Sequence, residues 1–329
     1  MKFGLLVIAL FFSACSLRTE IPTEFPTPPR EPAATPLPKV QLKRDAALEK
    51  QFAEIAKDAK GKVGAAAVVL ETGEAALLNA DDHYAMQSVY KLPISMAVMD
   101  QVRLDKLDLD EQIGVTKEDY VLPGQVSPLR DKNPNGGVFT IRELIRLALV
   151  ESDGSASDVL LRVAGGPSVV QDYLTQIGIN DMKIVNTEKE FAKDWQTQYQ
   201  NWATPVAACE LLRWLDKSAN GWHPLNLDQN LTESQQILQL MMESTTGPKR
   251  IKGLLPLSPP TSIVAHKTGT SGNRSGITAA TNDIGIIYLP NGKHLAIAVF
   301  VADSPANDKT RDAVIARIAK AAWDKWAAK

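Results

Sequence analysis

The sequence predicts an α/β fold of the α+β type: an antiparallel sheet flanked by N- and C-terminal helices, plus an all-helical subdomain. Strand-like segments lie near both ends of the chain, at 63–79 and 261–302, and helical patterns fill the region between them. Helical patterns also precede the first strands and follow the last ones. Because a sheet needs its apolar faces covered, we expect both ends to build the sheet and the middle to form an insertion beside it.

The first predicted elements of the domain are one helix and two strands. Strands at 63–70 and 74–79 flank a turn at Glu71-Thr72-Gly73. The preceding helix is expected to end at Gly61. It is indicated by apolar residues at helical spacing, namely Leu48, Phe52, Ile55, Ala56 and Ala59.

The middle of the chain carries many helix start signals. Thr140 to Glu143 and Thr232 to Gln235 are capping boxes, in which side chains satisfy the first free N–H groups of a helix. Pro167 and Pro205 suit the first turns of two more helices. We therefore predict helices at 141–151, 158–164 and 167–177, and others starting at 205 and 233.

The last part of the chain returns to strands and then to a helix. Strands are predicted at 261–267, 278–289 and 294–302, and Pro290-Asn291-Gly292 gives the last two a hairpin turn. The final 20 or so residues show apolar residues on one side of a helix. The α/β part is thus expected at about 40–85 and 246–329, and the helical part at about 86–245.

Composition excludes several classes of function. The net charge of −2 and the absence of a basic run give no reason to expect nucleic-acid binding. No two of the four histidines are closely spaced, and Cys15 and Cys209 are the only cysteines, so neither a metal nor another cofactor is expected. With 44% hydrophobic residues in 329, the chain suits one large domain or two closely packed ones. A monomer is the expected state.

The N-terminus predicts export. Lys2 is followed by an apolar stretch, 4–12, that is too short to span a bilayer. Phe12-Ser13-Ala14-Cys15 resembles a bacterial lipobox, although Phe12 replaces the usual leucine. We expect residues 1–15 to be a lipoprotein signal peptide, and the mature protein to be a periplasmic lipoprotein anchored to the membrane through Cys15. Ordinary secretion with cleavage near Ala14 is the alternative.

A proline-rich segment separates this signal from the folded domain. Residues 16–39 contain seven prolines, which exclude a helix or central strand and favour extended structure. The segment is expected to be a semi-rigid tether to a domain over 40–329. With Cys15 lipidated, Cys209 has no disulfide partner and is expected to be an inert core thiol.

The first chemical motif is Ser88-Val89-Tyr90-Lys91, at the start of an apolar helical run. Three residues make almost one helical turn, so Lys91 should lie on the same face as Ser88. A serine hydroxyl needs a neighbouring base to act as a nucleophile, and a lysine of lowered pKa can serve. Free N–H groups at a helix N-terminus can also stabilise an oxyanion. Alone, the motif is a weak signal and more often marks a helix cap beside a surface lysine.

Two later stretches add polar groups. Glu151-Ser152-Asp153-Gly154 follows an apolar helix, and Ser152 offers a hydroxyl that can pass a proton. Lys267-Thr268-Gly269-Thr270 ends a predicted strand and offers a cation, a hydroxyl, close backbone approach and an edge N–H. Taken separately, the first is an ordinary turn and the second an ordinary strand end.

Together, Ser-x-x-Lys, Ser-Asp-x and Lys-Thr-Gly in this order resemble the penicillin-recognising serine enzymes. Ser152 lies 64 positions after Ser88, and Glu188 lies 36 after Ser152, so the chain resembles a class A β-lactamase over roughly 40–329. Met86-Gln87, the run 267–272 and Ala280-Thr281-Asn282-Asp283 are similar to the extended-spectrum branch of that class. The resemblance implies a β-lactam as the small-molecule substrate and an active site between the two parts of the fold.

The family roles then fall on particular residues. The resemblance implies that Ser88 becomes acylated, that Lys91 takes part in its activation, and that Ser152 relays a proton to the lactam nitrogen. It also implies that Glu188 activates the hydrolytic water. Whether the lysine or the glutamate is the acylation base stays open for the class.

The resemblance assigns substrate binding to a second set of residues. It places Lys267, Thr268 and Arg250 at the substrate carboxylate, and the N–H groups of Ser88 and Thr270 in the oxyanion hole. Two further substrate-binding positions are Gly269 and Gly154.

The chain departs from the class pattern at three places. Gly154 stands where an asparagine usually holds the acylamino group, and Ala192 where an asparagine helps hold the deacylating water. Asn186 and Asn201 stand where an arginine–aspartate pair commonly fastens the omega loop. A D-alanyl-D-alanine peptidase and a non-hydrolysing penicillin-binding sensor are the alternative functions, and Glu188 at omega-loop spacing favours the hydrolase.

Overall fold

The computed structural model describes residues 34–220, 222, 231–256 and 263–328. The predicted signal peptide, Cys15 and most of the tether lie outside the described residues. The helices are α1 (Ala46–Ala56), α2 (Lys91–Arg103), α3 (Pro128–Lys132), α4 (Ile141–Val150), α5 (Gly154–Ala164), α6 (Pro167–Gln176), α7 (Pro205–Ser218), α8 (Glu233–Met242) and α9 (Asp308–Trp326). The strands are β1 (Lys43–Arg44), β2 (Lys62–Val69), β3 (Glu74–Leu78), β4 (Tyr84–Ala85), β5 (Gln112–Val115), β6 (Gly137–Thr140), β7 (Met182–Lys183), β8 (Trp202–Ala203), β9 (Ile263–Thr270), β10 (Asn273–Arg274), β11 (Ile277–Tyr288) and β12 (His294–Ser304).

The main sheet is built from both ends of the chain, as predicted. Seven described strands follow the order β1-β3-β2-β12-β11, and both β9 and β10 pair with β11. All pairs in this sheet are antiparallel except the short pair β1–β3. The register of β9 on β11 places Lys267 opposite Ile284 and Thr270 opposite Thr281. The third chemical motif therefore lies on a strand with a long paired neighbour.

The two faces of the sheet pack into two different cores. On β2, Ala65 and Ala67 join the cluster that contains Phe52 of α1 and Ile315 of α9. The intervening Ala66 belongs to the cluster built by the helical region. Because side chains alternate along a strand, a sheet covered on both sides gives continuous apolar strands, as seen at 63–70. The fold class predicted from the sequence is confirmed.

The helical insertion also contains two small sheets, which corrects the expectation that it is all-helical. β4, β8 and β7 form a three-stranded sheet, and β5 pairs with β6. These strands are two to four residues long. Segments of this length are too short for a period-2 pattern to appear, so no sequence pattern predicts them.

Most predicted helix boundaries agree with the structure, and both capping boxes form at Thr140 and Thr232. The exception is α5, which begins at Gly154 rather than at Asp158. Asp153 caps this helix, because its Oδ1 accepts a hydrogen bond from the Ala156 N–H at 2.8 Å. The earlier start places the Ser152 motif directly at a helix N-terminus.

The end of the predicted tether contacts helices of the domain. Trp214 Nε1 donates to the Thr35 carbonyl at 3.1 Å, and an Arg213 amino group donates to the Pro38 carbonyl at 3.0 Å. The chain therefore packs against α7 several residues before the predicted boundary at Val40. None of the described helices has both the length and the apolar character needed to cross a membrane.

Candidate active site

Ser88 lies in a short 3₁₀ turn, Gln87–Tyr90, that leads directly into α2 at Lys91. The Lys91 side chain is 1% exposed, and its Nζ lies 2.9 Å from Ser88 Oγ. Both side chains project on one side of the helix, which is the geometry that their spacing predicted. An amine within hydrogen-bond distance of a hydroxyl can take part in removing its proton, so this pair can form an activated nucleophile.

The shape of this turn depends on distant side chains. Gln87 has a φ of 49°, in the left-handed region that few residues other than glycine adopt. Its Nε2 donates to Gln198 Oε1 at 2.8 Å, and Asn282 Nδ2 donates to the Met86 carbonyl at 3.1 Å. Sequence reasoning missed Gln198 and Asn282 as supports of the site, because contacts between residues far apart in the chain leave no local pattern.

Ser152 lies between the two lysines of the predicted site. Lys267 Nζ is 2.9 Å from Ser152 Oγ, and Lys91 Nζ is 2.8 Å from the Ser152 carbonyl oxygen. The neighbouring Asp153 is fully buried and accepts a hydrogen bond from the Leu129 N–H of α3 at 2.6 Å, besides capping α5. Ser152 is therefore held on a rigid junction, where its hydroxyl can pass a proton.

The third motif packs against the Ser88 turn. Lys267 is fully buried, and its pKa is lowered well below its ordinary value by burial and by the charge of Lys91. Thr268 Oγ1 lies 2.6 Å from Thr246 Oγ1, which extends the polar wall beyond the motif. A Cβ on Gly269 would lie 2.3 Å from the Met86 carbonyl oxygen. Glycine is therefore required here by the chain's own backbone, and the further role of Gly269 in letting a ligand approach stays a prediction.

Arg250 reaches the same wall from the segment before β9. Its Nε donates to Asp312 at 2.8 Å, and its Nη1 donates to the carbonyls of Gly269 at 3.2 Å and Asn282 at 2.9 Å. Its Nη2 donates to Thr270 Oγ1 at 2.8 Å. A guanidinium has five N–H donors, and these contacts use four of them. One donor on Nη2 is left for a substrate oxygen next to Thr270.

Glu188 lies across from Ser88 on the loop between β7 and β8. Its Oε2 is 3.2 Å from Lys91 Nζ and 3.3 Å from the Tyr90 hydroxyl. Its backbone N–H donates to Asp158 Oδ1 at 2.7 Å, and burial raises the pKa of Asp158 to about 7. The carboxylate and the lysine therefore share one buried network with Ser88, as a base for proton transfer requires.

Asn201 fastens the base of this loop, residues 184–201. It is fully buried, and its Oδ1 accepts hydrogen bonds from the N–H groups of Val185 at 2.8 Å and Asn186 at 2.9 Å. Its Nδ2 donates to the Asn186 carbonyl at 2.8 Å. The amide thus binds the backbone of the opposite end of the loop, in place of a charged pair between side chains.

The other two departures from the class pattern differ in their surroundings. Ala192 is exposed at the cavity wall, where its methyl group offers no hydrogen bond. A Cβ on Gly154 would lie 2.8 Å from Glu188 Cγ, 3.1 Å from the Val126 carbonyl oxygen and 3.2 Å from Val121 Cγ1. Gly154 is buried and does not line the cavity, and its lack of a Cβ leaves space for Glu188.

These groups surround one open cavity of about 660 Å³, a size typical of small-molecule sites. Both parts of the fold contribute to its walls. It is lined by residues that include Ser88, Lys91, Gln125, Ser152, Glu188, Trp195, Thr246, Arg250, Thr268, Thr270 and Arg274. The described residues contain no group of side chains that could hold a metal ion. The cavity can therefore support serine acyl transfer with two buried amines and one carboxylate.

Comparison with known proteins agrees with this chemistry. A model of the β-lactamase enzyme family matches residues 47–326, which is most of the chain. The chain belongs to the β-lactamase enzyme family. It is 41% identical to the β-lactamase VEB-1 of Pseudomonas aeruginosa over 249 residues, covering 75% of this chain and 79% of that protein. It is 38% identical to the extended-spectrum β-lactamase PER-1 of the same organism over 280 residues, covering 84% and 86%.

Solved structures give the same result. A β-lactamase from Chitinophaga pinensis superposes with a TM-score of 0.78 at 41% identity, covering 85% of this chain and 99% of that one. The TLA-3 extended-spectrum β-lactamase superposes with a TM-score of 0.77 at 41% identity, covering 85% and 98%. The predicted class A resemblance is confirmed, and the protein is a serine β-lactamase. The peptidase and sensor alternatives are not favoured.

Proposed function

We propose that this β-lactamase opens its substrates through an acyl-enzyme on Ser88. The single observation that carries the assignment is the contact of Lys91 Nζ with Ser88 Oγ at 2.9 Å, inside a cavity that also holds Glu188. Ser88 Oγ forms a bond to the lactam carbonyl carbon while its proton leaves through the network of Lys91 and Glu188. The carbon–nitrogen bond of the lactam then breaks, and Ser152 delivers a proton to the leaving nitrogen.

Substrate binding uses the wall formed by β9. The N–H groups of Ser88 and Thr270 stabilise the negative oxygen of the tetrahedral intermediate. The substrate carboxylate lies at Thr268 and at the remaining Nη2 donor of Arg250. Lys267 contributes from a buried position. Its amine donates to Ser152 Oγ at 2.9 Å, and its charge favours binding of the anionic substrate group nearby.

Release of the product requires water, and Glu188 is the base that activates it. Water attacks the acyl carbonyl and Glu188 accepts its proton. The bond between the acyl carbon and Ser88 Oγ then breaks, and the proton passes from Glu188 through Lys91 to Ser88 Oγ. Because Ala192 offers no amide, Glu188 must hold this water without that side chain. Penicillins and cephalosporins are the proposed substrates. Extended-spectrum cephalosporins are included in the proposal, since two similar proteins are named extended-spectrum β-lactamases.

We further propose that the protein is exported and acts in the periplasm as a monomer anchored through a lipid on Cys15. The support is the lipobox-like sequence and the proline-rich segment that follows it. Stable anchoring needs more than one acyl chain, as in bacterial lipoproteins. Cys15→Ser should therefore move the protein from the membrane fraction to the soluble fraction, and a wild-type protein found wholly soluble would refute the anchor.

Steady-state hydrolysis of a panel of penicillins, cephalosporins and carbapenems tests the substrate assignment. We expect turnover of penicillins and of oxyimino cephalosporins, measured by loss of the lactam absorbance. The Arg250→Ala variant should lose about 10- to 100-fold in kcat/KM on carboxylate-bearing substrates, since it removes a charge-assisted hydrogen bond. An unchanged kcat/KM across the panel would show that Arg250 does not bind the carboxylate.

A further inference from the structure

A buried phenol in the Ser88 turn has no part in the chemistry described so far. Tyr90 is fully buried and lies between Ser88 and Lys91 in the sequence. Its hydroxyl lies 3.3 Å from Glu188 Oε2. Burial and the nearby charge of Glu188 raise the pKa of Tyr90 well above its ordinary value. The phenol therefore keeps its proton at neutral pH and donates it in a hydrogen bond to the carboxylate.

We propose that Tyr90 is a positioning residue for deacylation, holding the Glu188 carboxylate in the orientation that activates the water. The inference rests on the proposed role of Glu188 as the base that activates water. Hydrogen bonds to a carboxylate are among the stronger kinds, so this contact fixes the direction in which Glu188 points. A general base must lie within hydrogen-bond reach of the water whose proton it accepts, so this contact favours the reactive geometry.

One ion pair and one hydrogen bond to the Glu188 carboxylate leave one of its oxygens available. Lys91 Nζ and the Tyr90 hydroxyl both contact Oε2, at 3.2 Å and 3.3 Å. Within the described part of the chain, no hydrogen bond to Oε1 is found. With Oε2 held in this way, Oε1 is the oxygen that can accept the water proton.

Tyr90 differs from Lys91 because its contact with Glu188 stays the same throughout the reaction cycle. Lys91 also contacts Ser88 Oγ and the Ser152 carbonyl, so it takes part in the proton transfers of acylation. The Tyr90 hydroxyl keeps its proton throughout, and its donation to Glu188 does not depend on the state of Ser88. Tyr90 can therefore hold the base in place after acylation has changed the surroundings of Lys91.

The Tyr90 ring is itself well fixed. It belongs to the main apolar core, and the Phe191 ring packs on it with centroids 5.7 Å apart. Phe191 lies three positions after Glu188 on the same loop. This contact connects the position of the loop to the position of the phenol. Ala192, the next residue, gives no polar support of its own.

Tyr90→Phe is the direct test, because it keeps the ring and removes only the hydroxyl. Tyr84→Phe is the matched control. The Tyr84 hydroxyl is also buried, has no hydrogen-bond partner among the described residues and lies outside the cavity walls. Pre-steady-state hydrolysis of a chromogenic cephalosporin gives acylation and deacylation rates separately for each variant.

We expect Tyr90→Phe to slow deacylation about 10- to 100-fold while acylation changes less than about threefold. The burst phase of the variant should therefore keep nearly the wild-type rate while its steady phase slows. The other charged groups facing Glu188 are Lys91 on α2, Asp158 on α5 and Lys267 on β9. All three are unchanged in the variant, and Tyr84→Phe should leave both rates as in the wild type.

Two results would overturn the inference: equal slowing of acylation and deacylation in Tyr90→Phe, or a deacylation rate equal to that of Tyr84→Phe. Failure of the proposed function would be seen differently. In that case the wild type itself would stop after one equivalent, or Glu188→Gln would turn over at the wild-type rate. A wild type that turns over, with Glu188 required and Tyr90→Phe unaffected, would reject the positioning role alone.

Discussion

The two halves of the active site are held together by different means. The acylating half, with Ser88, Lys91, Ser152 and Lys267, lies on α2 and β9 or within three residues of a helix start, and its two lysines are at most 1% exposed. The deacylating half lies on the loop 184–201, which contains only short 3₁₀ turns. Hydrogen bonds from side chains to backbone groups hold that loop in place, mainly through Asn201 and Asp158.

This difference in how the two halves are held explains which residues depart from the class A sequence pattern. The acylating half keeps the residues that touch the reacting atoms, because each one is fixed by neighbours on several elements. The deacylating half varies at Ala192, Asn186 and Asn201, and also where Gly154 lies beneath it. A loop held by backbone contacts tolerates such changes, provided that Glu188 stays within reach of Ser88.

The largest expected effect on turnover comes from removing the nucleophile of the acylating half. Ser88→Ala removes the atom that forms the covalent bond, so turnover should fall on the order of 10⁴-fold or more. The fold should survive, because Ser88 makes no capping hydrogen bond in its turn. Intact-mass spectrometry after addition of a penicillin checks this outcome. A covalent adduct on the variant would place the nucleophile elsewhere.

A smaller effect is expected where the two halves touch. Gly154→Asn restores the usual class residue but places a Cβ 2.8 Å from Glu188 Cγ. Displacement of Glu188 should slow deacylation about tenfold or more, since misplacement of a catalytic group is costly. Gly154→Ala is the control, because it adds the Cβ without the amide. If Asn raised kcat/KM while Ala lowered it, the missing amide would matter more than the space.

The smallest expected effect on turnover comes from loosening the base of the loop. Asn201→Ala leaves the N–H groups of Val185 and Asn186 without their buried partner. The free energy of unfolding should fall by about 1–3 kcal/mol, and turnover at 25 °C should fall less than about tenfold because Glu188 keeps its contact with Asp158. Urea denaturation and steady-state kinetics check the two values. A variant as stable as the wild type would show that Asn201 does not hold the loop.

The sequence predicted the acylating half better than the deacylating half, for physical reasons. Lys91 follows Ser88 by one helical turn, so local geometry alone brings the two together. The contact between Tyr90 and Glu188 joins residues 98 positions apart and depends on how the loop folds. The left-handed backbone of Gln87 and Ser152 is likewise imposed by tertiary contacts, since neither residue favours it alone.

Some missed features did have a signal in the sequence. Asp153 is a favoured N-cap residue, but Gly154 after it resembled a loop, and the start of α5 was predicted four residues too late. Gly269 indicated close backbone approach, and only the structure identifies the Met86 carbonyl as the approaching group. The lipid anchor at Cys15 stays a prediction from the sequence.

The most direct test of the two-half mechanism is pre-steady-state hydrolysis of a chromogenic cephalosporin by the wild type and by Glu188→Gln. The wild type should turn over many equivalents. Glu188→Gln should release about one equivalent in a burst and then continue about 10²- to 10⁴-fold more slowly, because acylation proceeds while deacylation lacks its base. Equal steady turnover by both proteins, or a wild type that stops after one equivalent, would contradict the mechanism.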